Sequence, residues 1–317
     1  MWKFFLLLLI FFSGCGLFEN DEIEWIEVES PTTKDLYSVF ALSESDAWAV
    51  GASGVIIHWD GEKWSPVESP TSKRLNSVYF ISADNGWAVG ENGVILHWDG
   101  SEWLEECSPV DVELRAVQFL DEDNGWAAGD SEVVIHYDGV NWRVKYKGEK
   151  GTFTSLWFFD DTPEGWVSGH YIFHFYNDSC ERDTSIDFYG CFYDMHFINS
   201  QKGWAVGEWA IDRGTGRGAV YCFDHNKWES VPIGKIAPLQ NFWLSVFFIS
   251  EDEGWIAGAD DEIAGIEGAE NMLHYKDGEW WVVNIDGYKT VYSLYFLTEK
   301  SGWAVGRKGY ILKFQKP

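Results

Sequence analysis

The chain has 317 residues, and its 51 acidic and 23 basic side chains give a formal net charge of −28. Hydrophobic residues make up 46% of it and aromatic residues 18%, including 20 tryptophans, which is enough apolar material for a large core and excludes a disordered chain. The charge argues against nucleic acid and against electrostatic docking to an anionic lipid surface, because both partners need a basic face.

The first 14 residues have the order of a secretory signal peptide. Lys3 supplies a positive charge, Phe4 to Phe12 is apolar, and Ser13 and Gly14 are small. This run is too short to span a bilayer as a stable helix. With Cys15 next, the segment resembles a bacterial lipobox, although Phe12 stands where that pattern prefers Leu.

The lipobox resemblance implies that Cys15 becomes the lipidated N-terminus of the mature chain. Residues 1–14 are then a signal peptide, residues 15–22 are the lipidated Cys and an acidic tether, and residues 23–317 are the folded domain. The expected location is the bacterial cell envelope, lipid-anchored and extracytoplasmic, at the outer membrane or cell surface. The alternative is an ordinary signal peptide followed by a free Cys.

A tryptophan-centred hexapeptide recurs through the rest of the chain. Asp46–Gly51 reads Asp-Ala-Trp-Ala-Val-Gly, and related segments surround six later tryptophans, at Trp87, Trp126, Trp166, Trp204, Trp255 and Trp303. The first two spacings are 39 residues each, and the last two are longer. A period of about 40 residues is typical of propellers with four strands in each blade.

The second copy predicts where those four strands lie. Leu75 to Ile81 alternates as strand A, Trp87 to Val89 is strand B, Val94 to Trp98 is strand C, and Trp103 begins strand D. The turns between them are predicted at Asp84-Asn85-Gly86, where Asn-Gly supplies a positive φ, at Glu91-Asn92-Gly93 and at Asp99-Gly100. Trp87 and Val89 point to one side of the sheet and Ala88 to the other.

The two ends of the chain complete each other. The seventh copy stops at Phe314, the end of its strand C, while Glu24–Pro31 resembles Lys63–Pro70, which contains a strand D. The sequence therefore predicts an all-β, seven-bladed β-propeller closed by an N-terminal strand that completes the last blade and leaves no open edge.

The repeat also resembles known families. Trp-Ala-Val-Gly, then Gly-Val-Ile-Leu-His-Trp-Asp-Gly and a further Trp resemble bacterial BNR/Asp-box-like propeller repeats and are similar to photosystem II stability/assembly factor propellers. The likeness covers Trp25 to Phe314. The Asp-Gly turns, such as Asp60 to Trp64, are shorter than an Asp box. The second resemblance implies helping a membrane complex to assemble.

Several repeated polar residues have structural interpretations. A histidine ends strand C in five copies, at His58, His97, His136, His174 and His274. Equivalent positions in a propeller lie on a wide circle, so we expect packing and no shared metal.

Four cysteines follow the anchor, at Cys107, Cys180, Cys191 and Cys222. An exported chain permits disulfides, and all three pairings remain open.

The candidate ligand site lies where the repeat is interrupted. Blades five and six carry insertions between strands B and C, on the face that also holds the D–A loops, and function tends to lie in such loops. The predicted ligand-binding residues are His170, Tyr171, Trp209, Arg213, Arg217, Trp243, Asp260, Asp261 and Glu262. The two loop tryptophans are expected to form a stacking platform. The alternative is that both fold inward, with tolerated loop growth.

The predicted function is a non-catalytic binding or scaffolding module at the cell envelope. Its partner is a protein or a glycan, with no nucleic acid, and the membrane is reached only through the lipid anchor. No cofactor, catalytic residue or metal is assigned. Calcium at the acidic Asp260–Glu270 loop is the one cofactor candidate, set against a solvated loop. The alternative function is a carbohydrate-active, glycosidase-like enzyme or a glycan-binding protein. The discriminating feature is a carboxylate pair across the upper channel mouth.

Overall fold

The computed structural model of the chain describes residues 24–160, 164–186, 189–212, 215–233, 242–259, 272–283, 285 and 289–316. Its strands form seven antiparallel four-stranded sheets. This arrangement confirms the predicted seven-bladed propeller. No helix in the described part of the chain is long and apolar enough to cross a bilayer. The predicted signal peptide, Cys15 and the whole tether lie outside the described residues.

Four blades follow each other with regular spacing. Their strands A to D, in blade order, are β2 (Leu36–Ser43), β3 (Asp46–Gly51), β4 (Ile56–Trp59) and β5 (Trp64–Val67); β6 (Leu75–Ser82), β7 (Asn85–Gly90), β8 (Ile95–Trp98) and β9 (Trp103–Glu105); β10 (Leu114–Asp121), β11 (Asn124–Gly129), β12 (Val133–Tyr137) and β13 (Trp142–Lys147); β14 (Phe153–Phe158), β15 (Gly165–Gly169), β16 (Ile172–Tyr176) and β17 (Ser179–Arg182).

The remaining three blades contain the longer connections and the closure of the ring. Their strands are β18 (Gly190–Asn199), β19 (Lys202–Asp212), β20 (Thr215–Asp224) and β21 (Lys227–Ser230); β22 (Phe242–Phe248), β23 (Glu253–Ala259), β24 (Met272–Lys276) and β25 (Glu279–Val282); β26 (Val291–Thr298), β27 (Ser301–Gly306), β28 (Ile311–Gln315) and β1 (Glu24–Glu27). Single 3₁₀ turns join strands B and C at Ala52–Gly54, Glu91–Gly93 and Arg307–Gly309.

The N-terminal strand closes the ring as predicted. β1 pairs antiparallel with β28, with Trp25 opposite Phe314. The Trp25 ring lies 5.8 Å from Trp255, 5.7 Å from Phe296 and 5.1 Å from Phe314, centroid to centroid. Blade seven therefore takes its outer strand from one end of the chain and its inner three from the other, which joins the chain ends through a packed aromatic cluster.

Large and small side chains alternate between the blades. Trp87 and Val89 pack in the cluster between blades two and three, while Ala88 packs in the cluster between blades one and two. This confirms the predicted orientation of strand B. The small residue on one face leaves room for the neighbouring blade's aromatic side chains, so that the radial sheets pack without voids.

One turn prediction was wrong. Asn85 and Gly86 belong to strand β7, neither has a positive φ, and the turn lies at Ala83 and Asp84. Gly86 is needed for a different reason: a Cβ there would overlap the ring of Phe80, which crosses the strand. The other two predicted turns are confirmed, with φ of 55° at Asn92 and 92° at Gly100.

Candidate binding site at the upper mouth of the central channel

The two faces of the propeller are built from different connections. In blade one, Gly54 of the B–C turn lies against Thr71, in the segment that leads into blade two. Gly61 of the C–D turn lies against Ser45 of the A–B turn. We call the face with the B–C turns and D–A segments the upper face, and the face with the A–B and C–D turns the lower face. Both assignments agree with the predicted geometry.

A central channel of about 830 Å³ runs between the seven A strands. At its waist, equivalent positions of those strands form a belt of mostly aromatic side chains, at Phe40, Tyr79, Gln118, Trp157, His196, Phe247 and Tyr295. Neighbouring rings touch around much of the belt, with Phe40 4.8 Å from Tyr79 and 4.6 Å from Tyr295. Burial raises the pKa of both tyrosines, so their hydroxyls stay protonated.

Above the waist, small hydroxyl side chains join adjacent blades. The Ser38 hydroxyl accepts a hydrogen bond from the Val78 N–H, and Ser77, Ser155, Ser245 and Ser293 act in the same way on the next blade. In blade five this position is Asp194. Its carboxylate accepts from Ser155, Ser245, the Met195 N–H and the Val246 N–H. Burial nevertheless raises the Asp194 pKa to about 6.

One side of the upper mouth carries an alternating chain of charges. The guanidinium of Arg74 contacts Glu113, and the Glu113 carboxylate also accepts from Asn76 at 2.9 Å. Arg115 lies 3.5 Å from Glu113 and donates to Asp130 at 2.8 Å. Since Glu113 is largely buried, these contacts fix the arginine side chains of blades two and three.

The adjoining side of the mouth, over blades seven and one, is aromatic. The rings of Tyr37 and Tyr292 lie 5.3 Å apart, and the Arg74 guanidinium lies 5.9 Å above the Tyr37 ring. The equivalent residues in blades five and six are Tyr193 and Leu244, and all four side chains are half-buried. The upper mouth thus has an apolar half over blades five, six, seven and one, and a charged half over blades two and three.

The first two predicted ligand residues lie on the upper face of blade four. His170 is exposed and Tyr171 is half-buried in the B–C turn. Arg182, at the end of β17, lies 3.3 Å from the centroid of the Tyr171 ring. This cation–π contact connects the turn to the outer strand. It leaves the His170 imidazole at the surface, available to a ligand.

The predicted insertion of blade five extends a hairpin. β19 and β20 continue above the regular blade, with Trp209 opposite Gly190 on one side and Arg217 on the other. Trp209 is 42% exposed, and Tyr189, next to its partner strand, is 73% exposed. The insertion therefore presents Trp209 on the upper face, and the exposed Tyr189 lies directly before β18, the strand paired with Trp209. No signal in the repeat singles out Tyr189.

The expectation for Trp243 was wrong. Its side chain is fully buried in the cluster between blades five and six. Trp243 is paired with Gly258, just as Leu36, Leu75 and Leu114 are paired with the last glycine of their strand B. It therefore occupies the first buried position of a regular strand A, and it cannot contribute to a stacking platform.

The other predicted ligand residues are outside the reach of the structure. Arg213, Asp260, Asp261, Glu262 and the rest of the calcium candidate up to Glu270 lie outside the described residues. The backbone of Arg217 is described but its side chain is not. Among the described residues, no group of three or more His, Cys, Asp or Glu side chains is placed to hold a metal ion.

The repeated histidines have the predicted packing role. In blade two, the Asn85 Oδ1 accepts from the Trp87 indole at 3.0 Å and is 3.1 Å from His97 Nε2, while the His97 and Trp87 rings stack at 4.2 Å. Because the indole can only donate, the amide oxygen faces both groups and the His97 Nε2 carries the proton. The same brace occurs in blades one and three.

The four described cysteines are free thiols. Cys107 is exposed, and the other three are half-buried. Burial raises the pKa of Cys180 to about 12 and of Cys191 to about 11, so both remain protonated and weakly nucleophilic at neutral pH.

The fold and its mouth define a seven-bladed propeller with a deep central channel. No family model matches the chain, and no curated protein sequence matches it. Among solved structures it is similar to YCF48 bound to a D1 peptide, with a TM-score of 0.71 and 19% identity over 92% of this chain and 97% of that chain. YCF48 from Cyanidioschyzon merolae gives 0.69 and 19%, over 92% and 98%.

The likeness extends beyond that protein. The WD40 propeller domain of Doa1 gives a TM-score of 0.69 with 11% identity, over 92% of this chain and 96% of that chain. At such identities the similarity establishes the fold alone. The predicted likeness to photosystem II assembly factor propellers therefore holds at the level of architecture.

Proposed function

We propose that this chain is a non-catalytic propeller that binds an extended segment of a partner protein across the upper mouth of its channel. The observation behind the proposal is that the upper mouth has an aromatic part and a charged part. Tyr37 and Tyr292 form an aromatic surface on one side, and Arg74, Glu113 and Arg115 form a fixed charged surface on the other. An extended peptide can place apolar side chains on the first and polar groups on the second.

Two further features support a peptide as the ligand. Trp209 on the blade-five hairpin and Tyr189, directly before β18, are exposed on the upper face of blade five, and large aromatic residues are typical anchors of protein interfaces. One propeller of similar fold, YCF48, has been solved with a D1 peptide bound. By analogy, a role in assembling a membrane complex is the form of scaffolding that we propose, without naming the complex.

The alternative, a glycosidase-like enzyme, needs two carboxylates placed for acid–base work on a sugar. At the described mouth, Glu113 and Asp130 are instead engaged by Arg74, Asn76 and Arg115. This arrangement orients arginines, and it favours binding over hydrolysis.

A binding screen tests the proposal. Purified chain is applied to an array of overlapping synthetic peptides and to a glycan array, together with Tyr37→Ala/Tyr292→Ala and, as a matched control, Ile26→Ala/Leu104→Ala on exposed outer strands. We expect peptide binding that the mouth variant weakens by roughly tenfold or more and the control leaves unchanged. Binding to glycans only, or equal loss in both variants, contradicts it.

We also propose that Cys15 is lipidated and holds the propeller at the bacterial envelope, as the lipobox resemblance implies. Cys15→Ser is expected to move the protein from the membrane fraction to the soluble fraction. An unchanged membrane fraction rejects lipidation at this residue and leaves the binding proposal intact.

A further inference from the structure

One apolar residue from each blade surrounds the lower end of the channel. It is the second-last residue of the regular strand A, or follows that strand directly, and the set is Leu42, Ile81, Leu120, Phe159, Ile198, Ile249 and Leu297. We call this ring the lower collar. Each member is half-buried, and each packs against a different inter-blade core cluster. A repeated apolar ring that is left partly open to solvent is typical of a contact surface.

The channel opens through the collar on one side. Leu120, Phe159 and Ile198 line the central cavity together with Asp160 and Ser200 of the adjoining A–B turns. An apolar side chain that approaches the lower face can therefore enter between three large hydrophobic residues. This opening is separated from the upper mouth by the aromatic belt.

Acidic A–B turns surround the collar. Their exposed carboxylates are those of Glu44, Asp84, Asp121, Glu122, Asp123, Asp160, Glu251, Asp252 and Glu299. The only basic residues that the described A–B turns contribute are Lys202 and Lys300. The lower mouth thus combines an apolar centre with a strongly negative rim, whereas the upper mouth pairs its charges internally.

We propose that the lower mouth docks a basic amphipathic segment of a partner protein. Its apolar face would cover the collar at blades three to five, and its Lys and Arg side chains would face Glu122 and Asp160. A second copy of this chain is disfavoured, since each copy carries a net charge of −28. An anionic membrane is disfavoured for the same electrostatic reason. This site is independent of the upper-mouth proposal.

A synthetic peptide probe tests the docking proposal. The probe is a Leu/Lys amphipathic helix of about 18 residues, compared with a shuffled peptide of the same composition in which the leucines are spread around the helix. Binding to the full chain is measured by fluorescence anisotropy at low and high salt. We expect the amphipathic peptide to bind more tightly than the shuffled one, with weaker binding at high salt.

Two matched charge-reversal variants distinguish peptide binding at the collar rim from non-specific attraction to the negatively charged protein. Glu122→Lys/Asp160→Lys changes the inner rim at blades three and four, and we expect it to weaken binding at least about tenfold. Glu62→Lys/Glu102→Lys makes the same charge change on the outer C–D turns of the same face, where these residues are exposed. We expect less than about a threefold effect there.

The collar itself is tested by Phe159→Ser, with Leu120→Asn as a second variant should the first fail to fold, and folding is checked by near-ultraviolet circular dichroism. We expect roughly tenfold weaker binding of the amphipathic peptide. Equal binding of the shuffled peptide, equal loss in the two charge-reversal variants, or no binding to the unaltered chain at low salt would overturn the proposal.

Discussion

Blades one to three and blade five share one strand pattern but stabilise it differently. In blade two, Asn85 braces Trp87 and His97 through a single oxygen. In blade five, the same two polar positions are Lys202 and Cys222, and the lysine is instead hydrogen-bonded to Asp224 at 2.9 Å. The apolar positions are retained throughout. The fold therefore depends on buried side chains, and the polar brace can be exchanged.

The inner strands also set blade five apart from blades one and two. Blades one and two place Ser38 and Ser77 in the hydroxyl ring, whereas blade five has the carboxylate of Asp194. The waist of blade five carries a buried histidine, His196, whose pKa burial lowers to about 3. The long hairpin also rises from this blade. Changes in ionisable groups and in the connecting hairpin thus accumulate in blade five, while blades one and two preserve the repeat.

The largest expected effect contrasts two deletions. Removal of residues 24–30 takes away the outer strand of blade seven and the Trp25 contacts, and it exposes β28 as an open edge. We expect a loss of stability larger than that of any single side-chain replacement, with aggregation. Replacement of residues 210–216 by Asn-Gly shortens the blade-five hairpin to a two-residue turn between Trp209 and its partner Arg217, and we expect a change below about 0.5 kcal/mol.

Chemical denaturation of both deletion variants makes this comparison. A larger loss of stability from the hairpin deletion than from removal of residues 24–30 would contradict this comparison. Unaltered melting after removal of residues 24–30 would contradict ring closure.

Two tryptophans on the same side of blades five and six provide the next contrast. Trp243→Ala removes a fully buried side chain, and we expect a cost of about 3–5 kcal/mol. Trp209→Ala removes a side chain that is 42% exposed, and we expect less than about 1 kcal/mol. Thermal unfolding measures both. A similar cost for the two replacements would mean that Trp209 pins the hairpin and is not held out for a partner.

The sequence predicted the ring because its signals repeat. Each Trp hexapeptide, each closing glycine and the match between Glu24–Pro31 and Lys63–Pro70 occur in a fixed frame. Trp243 was misplaced because a single tryptophan stands where other blades have Leu, Phe or Val. The repeat register, and not the residue type, decides that it is buried.

The candidate site was less predictable, because it is formed by residues from distant blades. Tyr37 and Tyr292 are 255 positions apart in the chain and meet only when the ring closes. Arg74 and Glu113 occupy the same repeat position in successive blades, and their pairing follows from the radial geometry. No spacing within one copy shows either contact. The Asn-Gly turn was mispredicted for a similar reason. Gly86 is required by the close approach of the Phe80 ring, a contact that the local sequence does not show.

The pH dependence of stability tests the buried carboxylate of Asp194 in blade five. Its pKa is raised to about 6, above the value of about 3.9 in an unfolded chain. The native state therefore holds this proton more tightly, and stability from this group is fully present below pH 4 and is lost as the pH rises through 6. Asp194→Ser restores the residue of blades one and two. We expect it to stabilise the protein at pH 7 by up to about 2 kcal/mol, and by less at pH 4.

His196 acts in the opposite direction, because its lowered pKa makes the native state lose stability as the pH falls. The His196 contribution cancels in the difference between the unfolding free energies of the unaltered chain and Asp194→Ser at each pH, since both proteins retain His196. Urea unfolding at pH 4, 5.5 and 7 gives the comparison. A difference that is independent of pH would show that folding leaves the pKa of Asp194 unchanged.

The smallest effect concerns the polar brace itself. Asn124 accepts from the Trp126 indole at 2.9 Å and lies 2.9 Å from His136 Nε2. Asn124→Ala removes the acceptor of the buried Trp126 indole and of the half-buried His136 imidazole, and we expect a cost of about 1–2 kcal/mol. Lys202→Ala is the matched change in blade five. There the lysine forms a surface pair with Asp224, so we expect less than about 0.5 kcal/mol. Urea unfolding of both variants separates the cases. If the two costs were equal, the brace would add no stability to blade three beyond that of the surface pair in blade five. The shared apolar positions alone would then account for the stability of both blades.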